Sequence, residues 1–447
     1  MDLCEGPFLK KILLYTIPII LTGLLQLLFN AADLVVVGRF CGENSVGAVG
    51  ATGSLINLLV NLFLGCSTGA GVCVAQELGA HNKQMVHRTV HTAIPAAFVG
   101  GVFLTVVGVL FSRQFLIWMK TPPVQLELSA IYLKIYFAGI IPMLLYNFGA
   151  SILRAAGDTR SPLIFLTISG VLNVILNVIF VTLFALDVAG VALATTISQT
   201  LSCALVLIAL VRRNDDLRLE FRKLHFYRKS LLRIIRIGLP AGLQGSMFSI
   251  SNVIIQSSLN SLGPVVLNGS SASSSIEGFI YTVMIGFQQT AMNFVGQNVG
   301  ARRYENIRKI VRVCMICVFV AGVSVGALAT VFARPLLSIY LKDSAAAIDV
   351  GVQRLAIIGL TYFLCGTMEV ISAALRGMGY SMQPMFICIF GVCVFRLIWI
   401  ATIFTQEQFH NLTTLVVSYP ISWIITEAAL IVTFVVLHRK AVRGEAA

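Results

Sequence analysis

Long apolar runs alternate with short polar breaks along the whole chain. The runs lie at roughly 12–38, 46–77, 92–112, 128–153, 162–185, 188–211, 234–261, 265–296, 310–333, 348–375, 384–405 and 411–437. About 20 apolar residues suffice for a helix to cross a bilayer. The pattern therefore predicts an all-α integral membrane protein with twelve transmembrane helices. The first run is long for a signal peptide, lacks a small-residue cleavage site and is followed by many more spans, so it reads as structure.

The runs fall into two sets. Val74-Ala-Gln-Glu-Leu-Gly-Ala80 recurs as Val295-Gly-Gln-Asn-Val-Gly-Ala301, a shift of 221. Leu153-Arg-Ala-Ala-Gly157 with Pro162 recurs as Leu375-Arg-Gly-Met-Gly379 with Pro384, and Pro18 recurs as Pro240, each at a shift of 222. An internal repeat at one offset marks a duplicated unit. Six spans per unit return the chain to its starting side. The halves thus share one orientation and are expected as two six-helix lobes, related by a pseudo-two-fold axis along the membrane normal. The reading assigns 1–215 to an N-lobe, 216–233 to a basic cytoplasmic linker and 234–447 to a C-lobe.

Composition agrees with a bilayer setting: 57% of the 447 residues are apolar and 11% charged. The net charge of +13 would suggest nucleic acid in a soluble protein. Its distribution argues for topology instead. With the N-terminus inside, and with bases near the ends of runs counted with the adjoining segment, cytoplasmic segments carry 24 of the 32 Lys and Arg residues. The outer segments carry six (Arg39, Arg113, Lys120, Lys134, Arg334 and Lys342), and Arg354 and Arg396 lie within spans. This bias places both termini in the cytoplasm of a multi-pass cell-membrane protein. The linker, RRNDDLRLEFRKLHFYRKSLLR, reads as a solvated connector facing lipid headgroups rather than as a nucleic-acid patch. Ten scattered cysteines imply no disulfide framework, and Cys314 with Cys317 reads as packing. His81, His87 and His91 have no metal-site spacing, and no bound metal or cofactor is expected.

One acid interrupts the first run. Asp33 shares a helix face with Thr22, Gln26 and Asn30, at spacings of four, four and three. A carboxylate at that depth costs several kcal/mol unless protonated, paired or hydrated, which makes it a functional candidate; the alternative is an acid that snorkels to the outer interface. The fifth run carries Asn173 and Asn177 one turn apart, which as hydrogen-bond formers could be structural glue. Thr195 and Thr196 on the sixth could add oxygen ligands. The run matching the first has Gln244, Ser249, Asn252 and Gln256 but no acid. The eighth carries Glu277 with Tyr281. The tenth carries Glu369, which the repeat aligns with Asn147. The eleventh carries Arg396, for which Glu277 or Glu369 is the expected partner; a fixed structural ion pair is the alternative to a functional role. The glycines Gly65, Gly69 and Gly71 predict close packing of the second helix.

These residues resemble the MATE (multidrug and toxic compound extrusion) transporter family. The likeness rests on Pro18 with Asn30-Ala-Ala-Asp33, on Val74-Ala-Gln-Glu-Leu-Gly79, on Leu153-Arg-Ala-Ala-Gly-Asp158-Thr and on Asn173-Val-Ile-Leu-Asn177, with the mirrored motifs of the second half, and it spans the chain. It implies a V-shaped pair of lobes that export cationic or amphipathic small molecules against H⁺ or Na⁺. It further implies that Asp33 is the cation-coupling carboxylate, that Asn173 is its companion, and that any metal is a transient Na⁺ at Asp33. Asn177 stands where many members carry Asp, which weakens the case for Na⁺.

Aromatic and Met side chains such as Phe29, Met247, Phe248, Met284 and Phe287 could contact drugs or simply pack. The expected partners are small-molecule substrates and the lipid bilayer, without nucleic acid, and the expected state is a monomer. The rival reading is a flippase for lipid or lipid-linked saccharide on a related plan, which would favour several cavity bases for diphosphate. An intramembrane enzyme would need a metal-ligand or nucleophile motif; no HExxH is present, and the GxSxG matches at Gly65–Gly69 and Gly322–Gly326 lie inside apolar runs rather than at a strand-to-helix turn. A channel would not require the charges to be placed differently in the two repeats.

Overall fold

The computed structural model describes residues 2–119, 121–341 and 344–444. Lys120 and Lys342 of the charge count, and the outermost residues of the two assigned lobes, lie outside them. All regular structure among the described residues is helical. In the first repeat the helices are α1 (Phe8–Phe40), α2 (Glu43–Gly79), α3 (Lys83–Trp118), α4 (Pro123–Ala138), α5 (Ile140–Ala155), α6 (Arg160–Val178) and α7 (Asp187–Val211). The second repeat has α8 (Arg228–Asn260), α9 (Pro264–Gly300), α10 (Tyr304–Val331), α11 (Ala333–Tyr340), α12 (Ala345–Gly377), α13 (Met382–Cys388), α14 (Phe395–Trp399) and α15 (Leu412–Val442).

With α4 and α5 taken as one span bent by 48°, and with π-helical turns joining α13 to α14, twelve spans follow in order. Ten of the described segments are long and apolar enough to cross a bilayer on composition alone. The other two, α8 and α9, carry the Gln, Ser and Asn positions that lower their hydropathy.

The duplication is visible in the backbone. Gly42 and Gly263 (φ 92° and 95°) precede α2 and α9. His81 and Arg302 (φ 52° and 56°) end those helices in a left-handed turn, and Gly157 and Gly379 (φ 84° and 92°) end α5 and α12. At the last pair the amides of Asp158 and Tyr380 reach back to Leu153 and Leu375 at 3.0 and 2.9 Å, which closes a Schellman turn. Each pair sits 221 or 222 positions apart. A left-handed residue is costly for anything but glycine, so the shared strain at His81 and Arg302 marks a common chain path.

The chain packs as two compact units. One holds Leu21–Ser246; the other holds Leu3–Ile20 and the chain from Met247 onward. Thus α1 and α8 are each divided, and packing units and sequence repeats have different boundaries. In the first unit Gly65 and Gly69 of α2 meet the backbone of α8 at Gly242 and Gly238, so any Cβ there would collide. A Cβ at Gly71 would instead meet the Ser151 hydroxyl of α5. In the second unit the equivalent Gly286 of α9 meets Ile20 and Thr16 of α1. The small-residue contact is kept, with less glycine.

Candidate functional site

Within the first unit, Asp33 of α1 faces the polar side of α6. The amide nitrogen of Asn177 donates to its carboxylate and also approaches Asn173 Oδ1 at 3.3 Å. Asn173 Nδ2 donates to Thr195 Oγ1 of α7 at 3.4 Å, and Thr195 donates in turn to the Val191 carbonyl at 3.0 Å. Asp33, Asn177, Asn173 and Thr195 therefore form one chain of hydrogen bonds across three helices. Asn177 is fully buried and Asn173 nearly so, while Asp33 is half-buried. The amide oxygen Asn177 Oδ1 is buried without a hydrogen-bond partner among the described residues.

Two features bring α1 and α6 together. A side chain at Gly170 would fall on the Phe29 ring, so only glycine admits this approach. Val36, Val37, Tyr132, Val181, Val188 and Val191 form an apolar cluster that begins one turn beyond Asp33 on α1. An isolated ionised carboxylate there would be expensive, and a donated amide hydrogen offsets part of that cost.

The second unit holds a different arrangement. Arg354 of α12 grips Glu277 of α9 with Nε to Oε1 at 2.7 Å and Nη2 to Oε2 at 3.0 Å, and Ser273 adds a bond at 3.0 Å. Both side chains are buried. Glu369 accepts from Gln288 at 2.5 Å. Arg396 of α14 donates from Nε to Ser422 at 3.0 Å, and its guanidinium lies 3.9 Å from the Tyr419 ring centre and 5.7 Å from that of Trp423.

Comparison with known proteins decides what this pattern belongs to. The MatE family model matches residues 18–179 and 240–402, most of both repeats. The chain belongs to the MATE family. Among curated relatives, the probable multidrug resistance protein YoeA of Bacillus subtilis is 27% identical over 86% of this chain and 84% of its own length. The probable multidrug resistance protein NorM of Thermotoga maritima is 25% identical over 87% and 84%. Among solved structures, a MOP-superfamily transporter from Pyrococcus furiosus superposes with a TM-score of 0.92 at 21% identity, over 98% of both chains. Neighbours in fold include MATE transporters, and the all-helical, multi-pass membrane architecture of this MATE chain agrees with them.

Among the residues singled out in this MATE sequence, Asp33, Asn173, Asn177 and Thr195 come together. Thr196 takes no part in their chain: its hydroxyl lies 2.9 Å from the Ala192 carbonyl and 3.5 Å from that of Ile135, against the α4–α5 bend at Gly139. Gln26 and Asn30 of α1 are exposed, as are Asn252 and Gln256 of α8, whereas Gln244 is buried. The amide of Asn147 bonds back to Met143 at 2.8 Å on its own helix. Tyr281 joins a ring cluster, 6.3 Å from Tyr362. Met284 and Phe287 are core residues.

The expected partner of Arg396 is corrected. Glu277 is held by Arg354 and Glu369 by Gln288, and no acid among the described residues lies within salt-bridge distance of Arg396. A ring face can partly offset a guanidinium's charge, which the charge pattern of a sequence does not reveal.

Sequence reasoning also missed the role of His91. It is fully buried and stacked on His87 at 3.8 Å, and its Nε2 accepts from the Glu220 amide at 3.0 Å. Its carbonyl accepts from His225 at 3.2 Å. The linker is therefore clamped to α3 through backbone bonds, not merely solvated. Beside it, Arg233 pairs with the buried Glu77 at 3.2 Å and with Gln76 at 2.5 Å. A histidine at i+4 from another was the available signal; its backbone partner was not legible.

Proposed function

We propose that this chain exports cationic, amphipathic small molecules across the cell membrane in exchange for H⁺, with Asp33 as the group that takes either ion. The observation that carries the reading is the Asn177–Asp33 contact inside a span, backed by Asn173 and Thr195. Multidrug proteins among the curated relatives support drug-like cargo.

Protonated, Asp33 is neutral and tolerates the apolar cluster around it. Ionised, it favours water and a cationic ligand. Each ligand thus favours a different arrangement of the protein, which is what exchange requires. A proton needs only the carboxylate. Na⁺ is held best by charged oxygens, and in the chain of Asp33, Asn177, Asn173 and Thr195 Asp33 supplies the one carboxylate. That difference favours H⁺ as the coupling ion. The cytoplasmic position of both termini follows from the Lys and Arg distribution, and a monomer in the bilayer suffices for the scheme.

Dye export in a host lacking its own efflux pumps tests the reading. Export of a cationic dye above background, lost in Asp33→Asn protein that still inserts, supports it. Wild-type export by Asp33→Asn, or lipid scrambling without dye export, would reject it.

A further inference from the structure

We propose that Arg396 and the rings around it, all within the second unit, bind the carboxylate of an aromatic organic acid. Arg396 is 4% exposed. Its Nε is used by Ser422, whose hydroxyl donates to the Tyr419 carbonyl at 2.7 Å. Its Nη2 is buried and has no hydrogen-bond partner among the described residues. The neighbouring carboxylates are committed elsewhere, Glu277 to both nitrogens of Arg354 and Glu369 to Gln288.

The rings over Arg396 do not complete its bonding. Tyr419 covers the face of the guanidinium, but the N–H groups point outward in its plane. A buried guanidinium with an unused in-plane donor fits an acceptor that brings negative charge and oxygens in that plane. A carboxylate has that geometry, and Arg is the side chain best shaped to hold it with two parallel bonds.

The surroundings favour an aromatic body on the acid. Trp423 lies 5.3 Å from Tyr362 and 5.9 Å from Tyr419, and Tyr281 extends the cluster beyond Tyr362. Such rings stack on another ring at similar separations. Tyr362 and Tyr419 are half-buried, while Trp423 and Arg396 are buried.

The backbone is irregular on both sides of Arg396. Ile389–Val394 and Ile400–Phe404 are π-helical, with α14 between them. A π-helical turn rotates the side chains that follow it, and such turns are frequent at functional sites. At the equivalent place in the first repeat stands Val174, 222 positions earlier, so the base belongs to the second repeat alone.

The proposal does not rest on the export reading, which concerns cationic molecules and Asp33. Its test needs no gradient and no transport, so the two ideas fail separately. The full chain, purified in detergent, is dialysed to equilibrium against radiolabelled benzoate, with benzyl alcohol and phosphatidylglycerol as competitors. Benzoate is expected to bind saturably and to resist displacement by benzyl alcohol, its uncharged counterpart. Arg396→Gln is expected to weaken binding by about tenfold or more, the loss of a charge-assisted pair of bonds, with Arg396→Lys in between. Non-saturable uptake, equal competition by benzyl alcohol, or unchanged binding in Arg396→Gln would overturn the proposal. Arg396-dependent phosphatidylglycerol binding without benzoate binding would also overturn it, and would assign the site to a headgroup. If Arg396→Gln does not fold, the wild-type competition with benzyl alcohol decides alone.

Discussion

Asn177 donates its amide hydrogen to the carboxylate of Asp33, joining helices whose contact residues are 144 positions apart. The same amide approaches Asn173, so one side chain orients both the acid and its neighbour. Asn177→Leu keeps similar bulk and removes both bonds. The carboxylate is left without its donor, at a cost of about 1–3 kcal/mol. Export of a cationic dye should fall by about tenfold or more in protein that inserts normally, as read by initial rates in vesicles. Export at the wild-type rate would show that Asp33 works without this amide.

The α1–α6 contact depends on a missing side chain. Gly170→Ala places a methyl group on the Phe29 ring and should destabilise the purified chain by about 1–3 kcal/mol, the range for overpacking. Phe29→Ala on the same chain should recover most of that loss. Thermal unfolding in detergent measures both, and additive losses would place the Gly170 constraint elsewhere.

Glu277 and Arg354 form a buried, two-pronged ion pair. Removing one partner strands the other charge, with a typical cost of about 3–5 kcal/mol. Glu277→Gln and Arg354→Met should each lower the unfolding temperature strongly. The double variant should recover much of the difference, because neither charge then remains unpaired. A double variant no better than the worse single one would contradict the pairing.

The linker carries its own pH dependence. Burial raises the Asp215 carboxyl, but the Arg213 fork at 2.6–3.0 Å outweighs it and holds the group below its ordinary value. A depressed acid stabilises the folded linker above its unfolded pKa, and that contribution is lost as pH falls through the lower, folded value. Limited proteolysis around Arg212–Arg218 should therefore be slow near neutral pH and quicken in acid. Arg213→Gln should move the onset to higher pH. An unchanged onset would separate the linker's order from this pair.

Much of this architecture was legible in the sequence. The repeat offset carries over into the backbone: Gly157 and Gly379, which recur in the sequence, both end helices in the left-handed region. The glycines of α2 announced a close helix contact, although their partners on α8 could not be read from periodicity. The polar stripe of α1 pointed to Asp33, and the spacing of Asn173 and Asn177 put both on one face of α6. Pairings between distant helices were less legible. Arg354 and Glu277 lie 77 positions apart with nothing local to link them. The setting of Arg396 is not legible in the sequence, because charge counting sees acids and bases, whereas its neighbours are rings and a hydroxyl.

Proteoliposomes with separately imposed pH and Na⁺ gradients test the central claim most directly. Substrate movement should follow a pH gradient alone and should vanish in Asp33→Asn protein reconstituted to the same density. Movement driven by Na⁺ with no pH gradient, or proton-driven movement that survives Asp33→Asn, would contradict it.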